Sequence, residues 1–354
     1  MDHRANIHDN AVVAPSHAKP PRITRRFFGI EWVRFVLYTL CMSKVIISGS
    51  IAYDRIMDYP GLFAEHILAD KAHSINLSFG VEKLSVEFGG TAGNVAYSLA
   101  LLGEQPEIIS TVGNDFSQYR THLRLSGIEA RTVHEIANEP TASAFILTDK
   151  GDNQIAAFHF GAGAHPYGTT VETEGRALAI VSAGCGADME ALPRYYREKG
   201  LRFLYDPGQA IPSLSAEALK DGIRGAHVVF TSDYEMSLIM QKTGLDERTM
   251  LEHAPNLIIT YGADGSRLLS REGEMPIPAI SKTQVVDPTG AGDAYRAGFI
   301  KGLILALPLV SCARLGSAVA AYAVEVYGTQ AHKFTLQEMS ERYRGAYGEQ
   351  LTLS

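Results

Sequence analysis

From position 44 onward, short runs of β-branched and other apolar residues alternate with stretches whose apolar positions recur at helical spacing. That alternation predicts an α/β protein on a largely parallel sheet, with helices covering its faces. Strands are expected at 45–48, at 107–112 and within LRFLYDPG, AHVVFTS and NLIITYG, while 94–102 reads as an apolar helix closed by Gly103. The last three strands each run into a polar or glycine turn, at Asp206, Ser232 and Gly262. Open α/β sheets bind ligands outside the carboxyl ends of their strands, so these turns are candidate site loops.

Two segments break the βα rhythm. INLSFGVEKLSVEFGG (75–90) and TASAFILTDKGDNQIAAFHFGA (141–162) alternate apolar and polar residues with period two, the second around a DKGDN turn. Both predict antiparallel ribbons. With 52–62 they would form a small sheet, serving either as a lid over a site or as an edge or dimer surface.

The first 26 residues are polar, rich in Pro and Ala, and without helical periodicity, which predicts a disordered tail. RRFFGIEWVRFVLYTLC then opens on an arginine pair, but Glu31 and Arg34 interrupt its apolar run, leaving too short a stretch for a membrane span or a signal core. Residues 1–43 are therefore expected to be a dispensable extension, 44–340 the folded domain and 341–354 a C-terminal tail. Of 354 residues, 46% are hydrophobic and 20% charged, the balance of a globular protein with ample core. A net charge of −7 without a basic stripe argues against nucleic-acid binding. Three widely spaced cysteines, Cys41, Cys185 and Cys312, suit reduced thiols in a cytoplasm rather than disulfides or a structural metal.

Candidate chemistry begins at QVVDPTGAGDAYRAGF (284–299). A strand ending at 284–286, a turn through Pro288 and Gly290 and an apolar helix over 294–307 place GAGD at a helix N-terminus. Unpaired backbone N–H groups and the positive end of the helix dipole make such a position an anion site. A dinucleotide fingerprint needs Gly or Ala where Tyr295 stands, and a P-loop needs a Gly-Lys pair that the chain lacks. Asp293 suits a site where a hydroxyl loses its proton as negative charge develops nearby, and the helix end should keep it ionised near neutral pH. Taken alone, it also reads as a helix cap.

A second constellation lies at EFGGTAGNVAYSLALLG (87–103). Gly89 and Gly90 allow close backbone approach, Asn94 in the first helical turn both donates and accepts, and Asp54 after the first strand can accept from a vicinal diol. Together they point to polyol recognition, though each residue singly is also common in turns and caps.

GGTAGNVAYSLALLG and DPTGAGDAYRAGF, in this order, resemble the two signatures of the ribokinase-like, or PfkB, family of sugar and nucleoside kinases, and the likeness runs over about 44–334. The resemblance implies a doubly wound, mainly parallel α/β sheet with a small β-sheet lid, and ATP-dependent phosphorylation of a primary hydroxyl. Asp293 would be the base, with Gly290, Ala291 and Gly292 forming the hole for the transferring phosphoryl group. By the same likeness Thr260, Gly262 and Gly265 in TYGADGS border the ATP phosphates, and Asp287 lies near a monovalent cation such as K+. TSDYE resembles an Asn-x-x-Glu element in which Glu235 organises Mg2+ through water, with Ser232 standing where the family has asparagine.

DAYRAGF with Arg296, GTQAHKF (328–334) and GSIAYDRIMDYPG resemble bacterial adenosine and nucleoside kinases. That branch implies transfer to the 5′-hydroxyl of adenosine or a related ribonucleoside. Asp54, Gly89, Gly90 and Asn94 would hold the ribose, and Phe79, Phe145, Phe158 and Phe160 are candidates to stack a purine, although period-two alternation turns some of them elsewhere. Two other readings stay open: a sugar kinase of the same family acting on ribose or fructose, and a non-catalytic binding protein on this fold. The expected partners are ATP and a small nucleoside or sugar, with no nucleic acid and no membrane, for a cytoplasmic monomer or homodimer.

Overall fold

The computed structural model describes residues 45–66, 77–151, 153–168, 170–281 and 283–353, so the expected extension lies outside them. In chain order its strands are β1 (Val45–Ser48), β2 (Ala52–Asp58), β3 (Lys83–Gly89), β4 (Glu107–Ile109), β5 (Thr111–Gly113), β6 (His134–Ile136) and β7 (Ala142–Thr148). They continue as β8 (Gln154–His159), β9 (Leu178–Ser182), β10 (Phe203–Asp206), β11 (Val228–Ser232), β12 (Asn256–Thr260), β13 (Ser266–Ser270) and β14 (Gly273–Ile277). The α-helices are α1 (Thr91–Leu101), α2 (Ser117–Leu125), α3 (Gly186–Lys199), α4 (Ala216–Ile223) and α5 (Asp233–Thr243), then α6 (Glu247–His253), α7 (Ala291–Ile304), α8 (Leu309–Ala323) and α9 (Leu336–Tyr347).

Eight strands form the main sheet in the order β14-β13-β12-β11-β10-β9-β1-β4. From β4 to β12 the pairing is parallel, and β13 and β14 add an antiparallel edge. Strand alternation divides the core into two layers. Val45, Ile47, Ile180, Leu204, Val228 and Ile258 face apolar residues of α1, α2, α7 and α8. Ile46, Ala179, Val181, Phe203, Val229 and Leu257 face those of α3 to α6. The doubly wound expectation holds, and the strand order reverses between β1 and β9, which puts the ligand crevice at their carboxyl ends.

A second sheet runs β3-β2-β7-β8, with β2 antiparallel to β3 and parallel to β7. The DKGDN hairpin is present as β7 and β8. The other predicted ribbon is not a hairpin: it supplies the single strand β3, whose partner is β2, and residues 77–82 are not strand. Register fixes the two faces of this sheet. Asp54, Ile56, Glu87, Ala144, Ile146, Ala156 and Phe158 share one; Arg55, Met57, Val86, Leu84 and Phe145 share the other.

Three further expectations are corrected. Residues 284–286 are not a strand: Val285 and Val286 are exposed, and the Val286 and Asp287 amides both donate to the Val324 carbonyl just beyond α8. Residues 341–353 are not a loose tail, because α9 continues to Tyr347, and Tyr343, Leu351 and Leu353 pack with α7 and α8 in a third apolar cluster. The strand expected over 107–112 divides at Ser110 into β4 and β5, which join different sheets.

Candidate active site

The entrance to α7 depends on glycine geometry. Gly290 takes the left-handed conformation, φ 77°, which other residues adopt only at an energetic cost, and turns the chain from the exposed loop into the helix. The Ala291 amide is already used by the Pro288 carbonyl at 3.2 Å, so the amides of Gly292 and Asp293 are the ones a helix start leaves for a ligand. Gly292 has a second reason to lack a side chain. A Cβ there would lie 2.6 Å from Nη1 of Arg296, whose guanidinium folds back along the first turn of α7.

Arg296 is held beneath that turn by a bidentate pair. Its Nε and Nη2 donate to Asp206 at 2.7 and 2.8 Å, and both side chains are more than nine-tenths buried. The guanidinium also lies 5.4 Å from the centre of the Phe230 ring. Burial raises the Asp206 carboxyl above its ordinary range, and the Arg296 charge opposes the rise. The sequence marked Asp206 only as a turn and Arg296 only as a family likeness. A charged residue on a helix buried from Ala294 to Leu303 was the available signal that a partner had to exist.

Asp293 sits one residue further in and accepts from the Asn94 side chain, Nδ2 to Oδ2, at 2.8 Å. Two signatures 199 residues apart thus meet in one hydrogen bond. Burial pushes the Asp293 carboxyl up to about 7, against the Asn94 donation and the Arg296 charge, while Asp206 and Glu235 add to the rise. The helix end was expected to keep it ionised; desolvation dominates, and Asp293 titrates near neutrality.

Asn94 is itself 5% exposed and accepts at Oδ1 from Gln330 at 3.0 Å. Gln330 belongs to a loop that stitches the site together: Gly328 N donates to Asp287, Thr329 donates to the Phe88 carbonyl, and Gln330 reaches Asn94 and Tyr119. Sequence reasoning noted GTQAHKF as a likeness and assigned Gln330 no role.

On the second sheet, Asp54 lies on the face that looks toward Asp287. Burial, with the charges of Asp287 and Glu87, pushes it up to about 6. A Cβ on Gly89 would come within 2.4 Å of the Asp54 carboxylate, and one on Gly90 (φ 87°) within 2.6 Å of the Ser50 carbonyl. The paired glycines therefore admit the Asp54 side chain and the β1–β2 backbone. Phe158 shares the Asp54 face and meets Phe160 edge-on at 5.0 Å. Phe145 is on the opposite face, and Phe79 clusters with Tyr59 and Phe63.

At the other side of the crevice Ser232 and Thr260 are paired residues at the ends of β11 and β12. Ser232 and Glu235 form a reciprocal capping box on α5: Glu235 N donates to Ser232 Oγ at 3.2 Å, and Ser232 N donates to Glu235 Oε2 at 2.7 Å. The Ser-x-x-Glu spacing was a readable capping signal, and it explains a serine at this position. Gly262 borders open space, whereas a Cβ on Gly265 would be 2.3 Å from the Ile277 carbonyl, so that glycine serves the packing of β14. Asp287 accepts from the Thr289 and Gly328 amides and so braces the loop before α7. Among the described residues no cluster of three or more His, Cys, Asp or Glu is placed to hold a metal, and no helix is long and apolar enough to cross a membrane.

Known proteins resemble this chain in sequence and fold. A nucleoside kinase of Methanothermobacter thermautotrophicus is 33% identical over 281 residues, covering 77% of this chain and 90% of that protein. The Burkholderia thailandensis nucleoside kinase in complex with inosine superposes with a TM-score of 0.78 at 35% identity, over 86% of this chain and 99% of that one. Its complex described as ADP-inosine gives 0.77 at 36% identity, over 88% and 98%. The pfkB family carbohydrate kinase model matches residues 42–335, and the chain belongs to that family.

Proposed function

We propose that this protein is an ATP-dependent nucleoside kinase that phosphorylates the 5′-hydroxyl of adenosine or a related purine ribonucleoside. The observation that carries the reading is the 2.8 Å bond between Asn94 and Asp293, which joins a polyol-binding amide to a carboxylate at the start of α7. The relatives that bind inosine, and inosine with ADP, support the substrate class.

Asp54, ionised, accepts from the ribose 2′- and 3′-hydroxyls beneath the second sheet, which acts as the lid. Asn94 retains one N–H and one lone pair after its contacts with Asp293 and Gln330, enough to hold a substrate hydroxyl. Phe158 offers its ring to the purine from the same face as Asp54. Asp293 takes the 5′-hydroxyl proton as that oxygen bonds to the γ-phosphorus and the bond to the β-phosphate oxygen of ATP breaks, releasing ADP. A carboxyl titrating near the working pH is well matched to that transfer. The Gly292 and Asp293 amides, with the dipole of α7, receive the charge on the transferring group.

ATP would lie along Ser232, Thr260 and Gly262. Three carboxylates, Asp206, Glu235 and Asp293, surround one guanidinium, so a magnesium ion among the phosphates fits the charge of the site. Glu235 has Oε1 left outside its capping box to hold that ion through water, and the ion supplies neutralisation of phosphate charge.

The test is a panel of nucleosides and free sugars with coupled ADP detection, comparing wild type with Asp293→Asn. Purine ribonucleosides should be turned over and the variant should lose about 100- to 10,000-fold in kcat. Robust turnover of ribose or fructose with none of any nucleoside would overturn the substrate class, and equal activity of the two proteins would remove Asp293 as the base.

A further inference from the structure

We infer that Gln330 is a positioning residue for the base, fixing which end of the Asn94 amide meets Asp293. The inference rests on Asp293 being the proton acceptor and assigns a role to a residue 236 positions from Asn94 in the chain.

Donor and acceptor counting gives the network one direction. The Tyr119 hydroxyl has a single proton, and it goes to the Gly89 carbonyl at 2.7 Å. Its oxygen must therefore accept at the 2.5 Å contact with Gln330 Nε2. That orients the Gln330 amide, so its Oε1 faces His122 and accepts from Nε2–H at 2.9 Å, which sets the His122 tautomer. Stacking at 4.2 Å on Phe88 holds the imidazole in place, and burial lowers its proton affinity against the hydrogen bond to Gln330. The remaining Nε2–H of Gln330 donates to Asn94 Oδ1. Asn94 is left with only its NH2 group for Asp293.

A flipped Asn94 amide would set Oδ1 against a carboxylate and its NH2 against the NH2 of Gln330. Both contacts would be repulsive in a site that excludes water. Gln330 makes that flip costly, so Asn94 donates to Asp293 in the free enzyme before substrate arrives. The same residue ties this geometry to Gly89, the last residue of β3 in the second sheet, through Tyr119. Space is tight around it: a Cβ on Gly93 would lie 2.0 Å from the Tyr119 hydroxyl and 3.0 Å from Gln330 Nε2.

Losing the Asn94 donation removes a contact that favours the charged carboxylate, so Asp293 should hold its proton to higher pH. The other groups facing Asp293 are left unchanged by the substitutions: Arg296 on its own helix, Asp206 at the end of β10 and Glu235 on α5. The experiment compares Gln330→Met, which keeps the shape without hydrogen bonds, and Gln330→Glu, which can still accept from His122 but can donate to neither Asn94 nor Tyr119. kcat and KM for inosine and adenosine are measured from pH 5.5 to 9.5, and the Asp293 carboxyl is titrated directly by carbon NMR of aspartate-labelled protein, assigned with Asp293→Asn.

In wild type the acidic limb should centre at about 7. In Gln330→Met limb and NMR midpoint should move up by about one unit, so that activity at pH 7 falls about five-fold and recovers toward the wild-type plateau at pH 9, and in Gln330→Glu, whose added carboxylate also favours the protonated base, they should move at least as far. A purely structural role would lower kcat equally at every pH and leave the NMR midpoint where it was, and either result overturns the inference. If wild type turned over no nucleoside yet the midpoint still moved, the relay would stand and the kinase reading would fall.

Discussion

The buried pair beneath α7 gives the sharpest stability prediction. Arg296→Met removes a guanidinium whose partner, Asp206, is 4% exposed at its side chain and lies near Glu235 and Asp293. Breaking such a pair from one side costs about 3–5 kcal/mol, because the surviving charge stays desolvated. Replacing both partners together, Arg296→Met with Asp206→Leu, removes the buried charge as well and should be close to neutral or stabilising by about 1–4 kcal/mol. The sign of the pH dependence follows from the same carboxyl. Without Arg296 its folded-state proton affinity rises further above the unfolded value, so the folded protein binds more protons and stability falls as pH rises between the two. The single variant should therefore be weakest at pH 8, with a melting temperature lower by on the order of 10 °C, and recover much of the deficit at pH 5. Thermal unfolding of wild type, both single variants and the double at pH 5 and 8 gives the full cycle. A single variant as stable as wild type at pH 8, or a double variant as damaged as the single, would refute the argument.

Three further outcomes follow from other parts of the site. Asp54→Asn should raise KM for ribonucleosides about 10- to 100-fold with kcat little changed, and should abolish discrimination against 2′-deoxynucleosides, both read from initial rates. Gly292→Ala places a Cβ 2.6 Å from Arg296 Nη1, so it should lower stability by about 1–3 kcal/mol in urea unfolding and depress kcat more than it alters KM. Ser232→Ala removes the cap of α5 and should cost about 1 kcal/mol, while Ser232→Asn, which caps equally well, should restore wild-type unfolding.

Local periodicity carried the architecture because each parallel strand is buried on both faces, and its apolar run records that directly. It failed at 284–286, where two valines mimic a strand over too few positions for any period to show. The amides of Val286 and Asp287 are satisfied by the Val324 carbonyl at the end of α8, a partner 38 residues from Val286 that no local pattern encodes. The tail was misjudged for a related reason. Polar residues dominate 341–350, but the apolar positions Tyr343, Leu351 and Leu353 are the ones that pack.

The site was legible as two signatures and illegible as a network, since its decisive contacts join residues 90 to 236 positions apart. Gly292 shows what that difference means. From sequence its small size reads as access for an anion, which predicts that any side chain would first obstruct ligand. In the structure the missing Cβ leaves the space into which Arg296 folds, with Nη1 against the first turn of α7. A methyl group at 292 therefore meets the protein's own guanidinium before it meets phosphate. Because that guanidinium holds Asp206 and its charge acts on Asp293, the damage should reach the base even in the absence of ATP. Stability and the Asp293 titration of the unliganded Gly292→Ala protein would both change if the glycine is there for Arg296, and neither would if it serves only the anion.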